Sequence, residues 1–89
     1  VIPSVQPTHA TSDMYWATER LGPQRVKGAY AFRDLMKQNA ASTGGLIAFG
    51  SDFPVEQVNP LFGFHAAVAR VDAKGYPAGG YQMNNAVDR

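Results

Sequence analysis

The sequence has no cysteine among its 89 residues, and its formal net charge is only +1. The absence of cysteine excludes disulfide bonds and every zinc site built on thiolates. The eight basic and seven acidic side chains are mixed along the chain, which argues against a nucleic-acid-binding or anionic-membrane surface, since such a surface needs clustered basic residues. Long apolar runs are also missing, because none approaches the ~20 residues of a membrane span.

The length of the chain allows at most one small domain. A chain this short buries only roughly 60–65% of its unfolded surface, so its core is marginal without further contacts. The sequence opens with Val1-Ile2-Pro3 and no methionine, and we expect it to be an excerpt of a longer protein. It carries no signal that indicates a cellular compartment.

Apolar spacing and turn-forming residues predict alternating strands and helices. The run Leu46-Ile47-Ala48-Phe49 has the apolar character of a buried strand, and Asn59-Pro60 is a strong helix start because Asn caps a helix and Pro suits its first position. The predicted elements are a strand at 1–6, helices at 13–21 and 26–40, a strand at 46–50, a helix at 60–72 and a C-terminal loop at 73–89.

The order of these elements predicts an α/β architecture. A strand, a long helical crossover and a second strand fit a right-handed parallel βαβ unit. Two strands alone leave unpaired backbone on both edges, which proteins normally pair, cover or close into a barrel. Both strands are nearly continuous in apolar residues, as expected where both faces are covered. The simplest architecture is therefore part of a (β/α)8 barrel, which needs about 250 residues.

The most informative feature is Gly50-Ser51-Asp52-Phe53, which directly follows the second apolar run. Ligands and chemistry gather at the carboxyl ends of strands in α/β proteins, so this pattern indicates a carboxylate that points into a site. Pro54 fixes the position by preventing simple continuation of the strand. An aspartate after a strand is also a common turn former and helix cap, and the pattern alone leaves both interpretations open.

Five motifs follow one another along nearly the whole chain. They are Ser4-Val5-Gln6-Pro7-Thr8-His9, Ser12-Asp13, Arg20-Leu21-Gly22, Gly28-Ala29-Tyr30 and Phe49-Gly50-Ser51-Asp52-Phe53-Pro54-Val55. Together they resemble the amidohydrolase superfamily, and they are most similar to the amidohydrolase family 3 subgroup that includes N-substituted formamide deformylases and D-aminoacylase-like enzymes. The resemblance implies that 1–6 and 46–50 are the seventh and eighth barrel strands, with their helices at 26–40 and 60–72.

The same resemblance implies a metal-dependent hydrolase that cleaves an amide-type, non-peptide C–N bond in a small molecule. Asp52 would ligate the metal and shuttle a proton, with one or two divalent ions, zinc being the expected metal. The family's first-strand His-x-His, its carboxylated lysine and its fifth- and sixth-strand histidines are absent from the 89 residues. The chain alone is therefore expected to lack a complete metal site and to be inactive.

Three further residues are candidates for substrate contact. His9 follows the first predicted strand and is expected to contact the substrate or its oxyanion, because the family places its metal histidines on earlier strands; a satisfied loop histidine is the alternative. Trp16 and Phe53 could wall the pocket, although packing explains Trp16 equally well. The alternative function for the whole chain is a catalytically inert α/β fragment that folds only with the remainder of the barrel or by self-association.

Overall fold

The computed structural model describes residues 1–88 and contains both helices and strands. Each strand is short and is followed by a helix, so the order predicted from the sequence is retained. The elements are β1 (Ser4–Val5), α1 (Pro7–Leu21), α2 (Phe32–Gln38), α3 (Ala40–Thr43), β2 (Ala48–Phe49) and α4 (Pro60–Ala69), with 3₁₀ turns at Arg25–Gly28 and Met83–Asn85.

The two strands pair in parallel, with Ser4 opposite Ala48 and Val5 opposite Phe49. The ladder continues by one hydrogen bond at its lower end, where the Ala48 amide donates to the Pro3 carbonyl at 2.8 Å. At its upper end the amide of Gly50 donates to the Val5 carbonyl at 2.9 Å. Parallel pairing places the carboxyl ends of both strands at the same edge, and that edge positions the candidate site.

The predicted helix at 13–21 is wrong at its start, because α1 begins at Pro7. Gln6 is extended, with φ −120° and ψ 91°, and Pro7 occupies the first turn of the helix. Proline suits that position because the first helical N–H groups have no intrahelical acceptor. As a result His9 lies on a helix rather than in a loop.

The predicted helix at 26–40 is wrong as a single element. The chain forms a 3₁₀ turn at Arg25–Gly28, then α2 and then α3. Tyr30 interrupts it with a left-handed φ of 56°. Its carbonyl accepts hydrogen bonds from the Arg70 guanidinium and from the amide of Phe32, so it makes no bond within a helix.

Three other boundaries also differ from the prediction. The strands are limited to Ser4–Val5 and Ala48–Phe49, because only these residues pair in the parallel ladder. Helix α4 ends at Ala69 rather than at 72, because Arg70 adopts a left-handed φ of 55°. The C-terminal segment predicted as loop contains the short 3₁₀ turn at Met83–Asn85.

The start of α4 is confirmed. Asn59 caps the helix, because its side-chain oxygen accepts a hydrogen bond from the Leu61 amide at 3.0 Å. Pro60 follows as the first helical residue, where its missing N–H is not needed. The first turn of α4 thus has the local chemistry that its two residues predict.

The interface between α1 and α4 contains small side chains, and the core also includes the larger Met14, Val26 and Phe32. Ala10 and Ala17 of α1 and Ala66 and Ala67 of α4 are almost completely buried. Small side chains let the two helices approach closely. In contrast, the large apolar residues near the sheet are exposed: Ile2, Leu46 and Phe49. In the described part of the chain, no helix combines the length and hydropathy needed to cross a membrane.

Arg70 is fully buried and joins three distant parts of the chain. Its Nε donates to the Tyr81 carbonyl and its Nη1 to the Tyr30 carbonyl, each at 2.9 Å. The guanidinium carbon also lies 5.2 Å from the ring centroid of Phe32 and 5.8 Å from that of Tyr81. Burial lowers the pKa of Arg70. The carbonyl dipoles and aromatic faces compensate part of the cost of burying the cation, while its Nη2 atom has no hydrogen-bond partner among residues 1–88.

Replacing Arg70 by methionine should strongly destabilise the protein. The carbonyls of Tyr30 and Tyr81 would each lose a charge-assisted hydrogen bond, and hydrogen bonds to charged groups contribute about 1.5–3 kcal/mol each. Arg33→Met is the matched control, since the Arg33–Asp88 ion pair at 3.1 Å joins exposed side chains and such pairs contribute about 0–1 kcal/mol. Urea unfolding of the full-length protein, followed by circular dichroism, measures both; equal losses of unfolding free energy would contradict this role of Arg70.

Candidate functional site

His9 and Asp52 meet at the carboxyl edge of the two-stranded sheet. His9 lies in the first turn of α1, directly after β1, and Asp52 lies in the loop after β2. The His9 Nε2 and Asp52 Oδ2 atoms are 3.8 Å apart. Parallel pairing brings these residues together, although they are far apart in the sequence.

The backbone of Asp52 adopts the left-handed conformation, with φ 55°. Asp tolerates this region better than most residues, but it remains an uncommon conformation for a residue with a side chain. The turn is held by the Val55 amide, which donates to the Asp52 carbonyl at 2.8 Å, and by the Phe53 amide, which donates to the Ser51 hydroxyl at 3.2 Å. The Asp52 side chain is 57% exposed, so it remains accessible to a ligand.

His9 contributes an unpartnered ring nitrogen. Its Nε2 atom is buried, yet within residues 1–88 it has no hydrogen-bond partner. Buried polar atoms are usually satisfied, but Thr8 Oγ1, Arg70 Nη2 and Gln82 Oε1 are buried and unpartnered in the same way, so this atom does not by itself mark a site. His9 also lines a cavity of about 520 Å³, together with Gln6 and Tyr30. A second cavity of about 290 Å³ lies beside Ser51 at the end of β2.

Trp16 and Phe53 are not brought together with His9. Trp16 is half-exposed on α1, and Phe53 is largely exposed in the loop after β2. Neither residue belongs to the lining of the cavity that contains His9. Their contact with substrate stays a prediction.

Tyr30 is a neighbour of the site that sequence reasoning missed. Its hydroxyl donates to Asp13 Oδ2 at 2.6 Å. Burial raises the pKa of Tyr30, and the hydrogen bond to Asp13 adds to the effect. Tyr30 belongs to the Gly28-Ala29-Tyr30 motif, but the sequence predicted it to lie within a continuous helix. A tyrosine on a regular helix face gives no indication that it neighbours the site.

The donor set at this edge suits part of a zinc site. A carboxylate oxygen and an imidazole nitrogen are ordinary zinc ligands, and zinc is usually four-coordinate. Among residues 1–88, no group of three or more His, Cys, Asp or Glu side chains is placed to hold a metal ion. The Asp52 carboxylate therefore fits one ligand position of a metal centre, whose other ligands must come from outside residues 1–88.

Comparisons with known proteins indicate the family to which this chain belongs. The model of the amidohydrolase family matches residues 1–89. LONG AFTER FAR-RED 3 of Arabidopsis thaliana is 40% identical over 75 residues, which are 83% of this chain and 12% of that protein. The protein named "Putative amidohydrolase YtcJ" of Bacillus subtilis (strain 168) is 44% identical over 66 residues, which are 74% of this chain and 12% of that protein.

A solved structure is also similar over nearly the whole chain. It is the crystal structure of an uncharacterized metal-dependent hydrolase from Pyrococcus horikoshii OT3, with a TM-score of 0.72 and 38% sequence identity. The match covers 99% of this chain and 17% of that one. The chain belongs to the amidohydrolase family, and its mixed α/β structure fits a fragment of the amidohydrolase fold. It spans about an eighth of the curated relatives that it matches.

The purified 89-residue chain should bind zinc only weakly. One carboxylate and one imidazole cannot complete a tetrahedral site, so zinc should be removed by dialysis against metal-free buffer. Elemental analysis of the dialysed protein checks this, with Asp52→Ala as the comparison. One zinc per chain that survives dialysis and is lost in Asp52→Ala would contradict the incomplete donor set.

Proposed function

We propose that this chain forms part of the active site of a metal-dependent hydrolase that cleaves an amide-type, non-peptide C–N bond in a small molecule. The observation that carries the proposal is the approach of His9 and Asp52 to 3.8 Å. It occurs at the carboxyl ends of paired parallel strands, in a chain of the amidohydrolase family. N-substituted formamides and N-acylated amines are the substrate classes that the motif resemblance favours.

The proposed architecture is that of the seventh and eighth βα units of a (β/α)8 barrel. In that arrangement the outer edges of β1 and β2 pair with neighbouring strands, and a closed barrel leaves no free edge. The exposed apolar side chains Ile2, Leu46 and Phe49 support this proposal, because each would be covered by the remainder of the barrel. The metal ligands that the chain lacks would come from the other strands.

Asp52 is the proposed metal ligand of this chain, with zinc as the expected ion and one or two ions in the complete site. When bound, such an ion polarises the amide carbonyl and makes water a better nucleophile at neutral pH. Asp52 is suited to hold it because its carboxylate is exposed at the strand edge. Its left-handed backbone supports a functional position, since strained conformations are concentrated at such sites.

The proposed reaction uses Asp52 for proton transfer. As the water oxygen bonds to the carbonyl carbon, Asp52 accepts a proton from that water. It returns the proton to the nitrogen as the C–N bond breaks, so the products are a carboxylic acid and an amine. His9 contacts the carbonyl oxygen of the substrate, on which negative charge develops. Trp16 and Phe53 supply apolar walls.

Asp52→Asn in the full-length protein should abolish turnover. Asparagine keeps the shape of the side chain but cannot accept a proton, and general acid–base catalysis contributes about 10²–10⁴-fold to the rate. Amine release from a panel of N-formyl and N-acetyl anilines, with zinc-loaded protein, measures the effect. Asp88→Asn is the matched control, because Asp88 is a mostly exposed partner of Arg33.

Two results would contradict the proposal. Undiminished turnover in Asp52→Asn would show that Asp52 takes no part in the reaction. If the zinc-loaded wild-type protein releases amine from none of the anilides, the proposed cleavage of an amide-type C–N bond is contradicted.

For the 89 residues alone, we propose no catalysis and a dependence on the remainder of the barrel or on self-association. The exposed apolar residues at the sheet support association, since uncovered strands readily pair with another chain. Sedimentation velocity of the purified chain should show dimers or larger species that increase with protein concentration. A monomer at all concentrations that unfolds cooperatively in urea would contradict this dependence.

A further inference from the structure

Tyr30 combines a strained backbone with several fixed contacts. Its φ of 56° lies in the left-handed region, which a bulky residue rarely adopts. Such conformations persist only where surrounding contacts impose them, and they are concentrated near functional sites. Tyr30 also lines the same cavity as His9. Its conformation therefore calls for an explanation in terms of that cavity.

Three hydrogen bonds hold Tyr30 in place. Its carbonyl accepts from Arg70 Nη1 at 2.9 Å and from the Phe32 amide at 3.0 Å. Its hydroxyl donates to Asp13 Oδ2 at 2.6 Å. The buried guanidinium thus anchors the backbone of Tyr30, while the side chain reaches α1.

Asp13 connects this anchor to His9. The two residues are four positions apart on α1, so they lie on the same face of the helix, one turn from each other. A lateral tether at Asp13 resists rotation of α1 about its own axis. Rotation would carry His9 Nε2 away from Asp52, from which it is separated by 3.8 Å.

We propose that Tyr30 is a positioning residue, which fixes α1 through Asp13 and thereby holds His9 towards Asp52. The consequence for turnover rests on the function proposed above for His9 and Asp52. Tyr30 acts through Asp13 rather than on substrate, because its hydroxyl proton is already donated to that carboxylate. The Tyr30 hydroxyl is protonated at neutral pH, as in any tyrosine, and burial raises its pKa further.

The chain supplies a matched control on the same helix. Tyr15 also donates its hydroxyl to a carboxylate, that of Asp72, and its ring stacks on Tyr76 with centroids 5.4 Å apart. Tyr15 is exposed and does not line the cavity that contains His9. Tyr15→Phe therefore removes an equivalent hydrogen bond from α1 without touching the proposed tether.

The first test measures the reactivity of His9 in the full-length protein. Diethyl pyrocarbonate modifies imidazole nitrogens, and peptide mass spectrometry reports the rate at each histidine. Tyr30→Phe should increase the rate at His9 about threefold or more, because the buried Nε2 becomes accessible when α1 is freed. Tyr15→Phe should leave it unchanged, and exposed His65 should react equally in all variants. Equal His9 rates in Tyr30→Phe and wild type would overturn the proposal.

The second test separates positioning from stability by kinetics and rescue. With the best anilide substrate, Tyr30→Phe should lower kcat by about 10-fold and change KM by less than about twofold, since small misplacements mainly affect the chemical step. Asp13→Ala should match it. Asp13→Asn retains an oxygen that can accept from Tyr30 and should restore most of kcat. A lower melting temperature with normal kcat and normal His9 reactivity would overturn the proposal.

The outcomes distinguish this inference from the proposed function. If Asp52→Asn retains full turnover, the proposed function fails, and the His9 modification rates still decide whether Tyr30 positions His9. If Asp52→Asn is inactive but Tyr30→Phe behaves like Tyr15→Phe in both tests, only the proposed positioning role of Tyr30 is contradicted, and the proposed function is unaffected. If Tyr30→Phe does not fold, as judged by circular dichroism, the comparison of Asp13→Asn with Asp13→Ala decides.

Discussion

The parallel pairing of Ser4–Val5 with Ala48–Phe49 is the constraint on which the site depends. It sets the carboxyl ends of both strands at one edge, so that the first turn of α1 and the loop after β2 face each other. The ladder is short, and beside it α1 packs against α4 through small side chains. The geometry at Asp52 therefore depends on strand pairing together with helix packing.

The contacts of Arg70 connect this helix packing to the proposed site. The buried Arg70 gathers the Tyr30 turn and the segment at Tyr81 around the end of α4. This buried cation has no carboxylate partner among residues 1–88. Two carbonyl oxygens and two aromatic rings contact it, and its Nη2 atom has no hydrogen-bond partner there. The same contacts impose an uncommon backbone conformation on Tyr30. The cluster around Arg70 therefore stabilises the fold and, through Tyr30, also supports α1.

Local sequence chemistry accounts for some of this structure and not for the rest. The cap at Asn59 and the aspartate beyond the second strand could be predicted, since each depends on adjacent residues. The break at Tyr30 could not, because it depends on a hydrogen bond from Arg70, 40 residues along the chain. The early start of α1 at Pro7 could have been found, since proline favours the first turn of a helix. The meeting of His9 with Asp52 required the register of the sheet.

His9 and Asp52 are proposed to act together in one reaction. A double-mutant cycle in the full-length protein tests this most directly. His9→Gln, Asp52→Asn and the double variant are compared by kcat/KM for anilide hydrolysis. Residues that act together lose much less in combination than the product of their separate losses. We expect the double variant to be about as active as the weaker single variant. Losses that multiply to within about twofold, as for independent sites, would contradict the account.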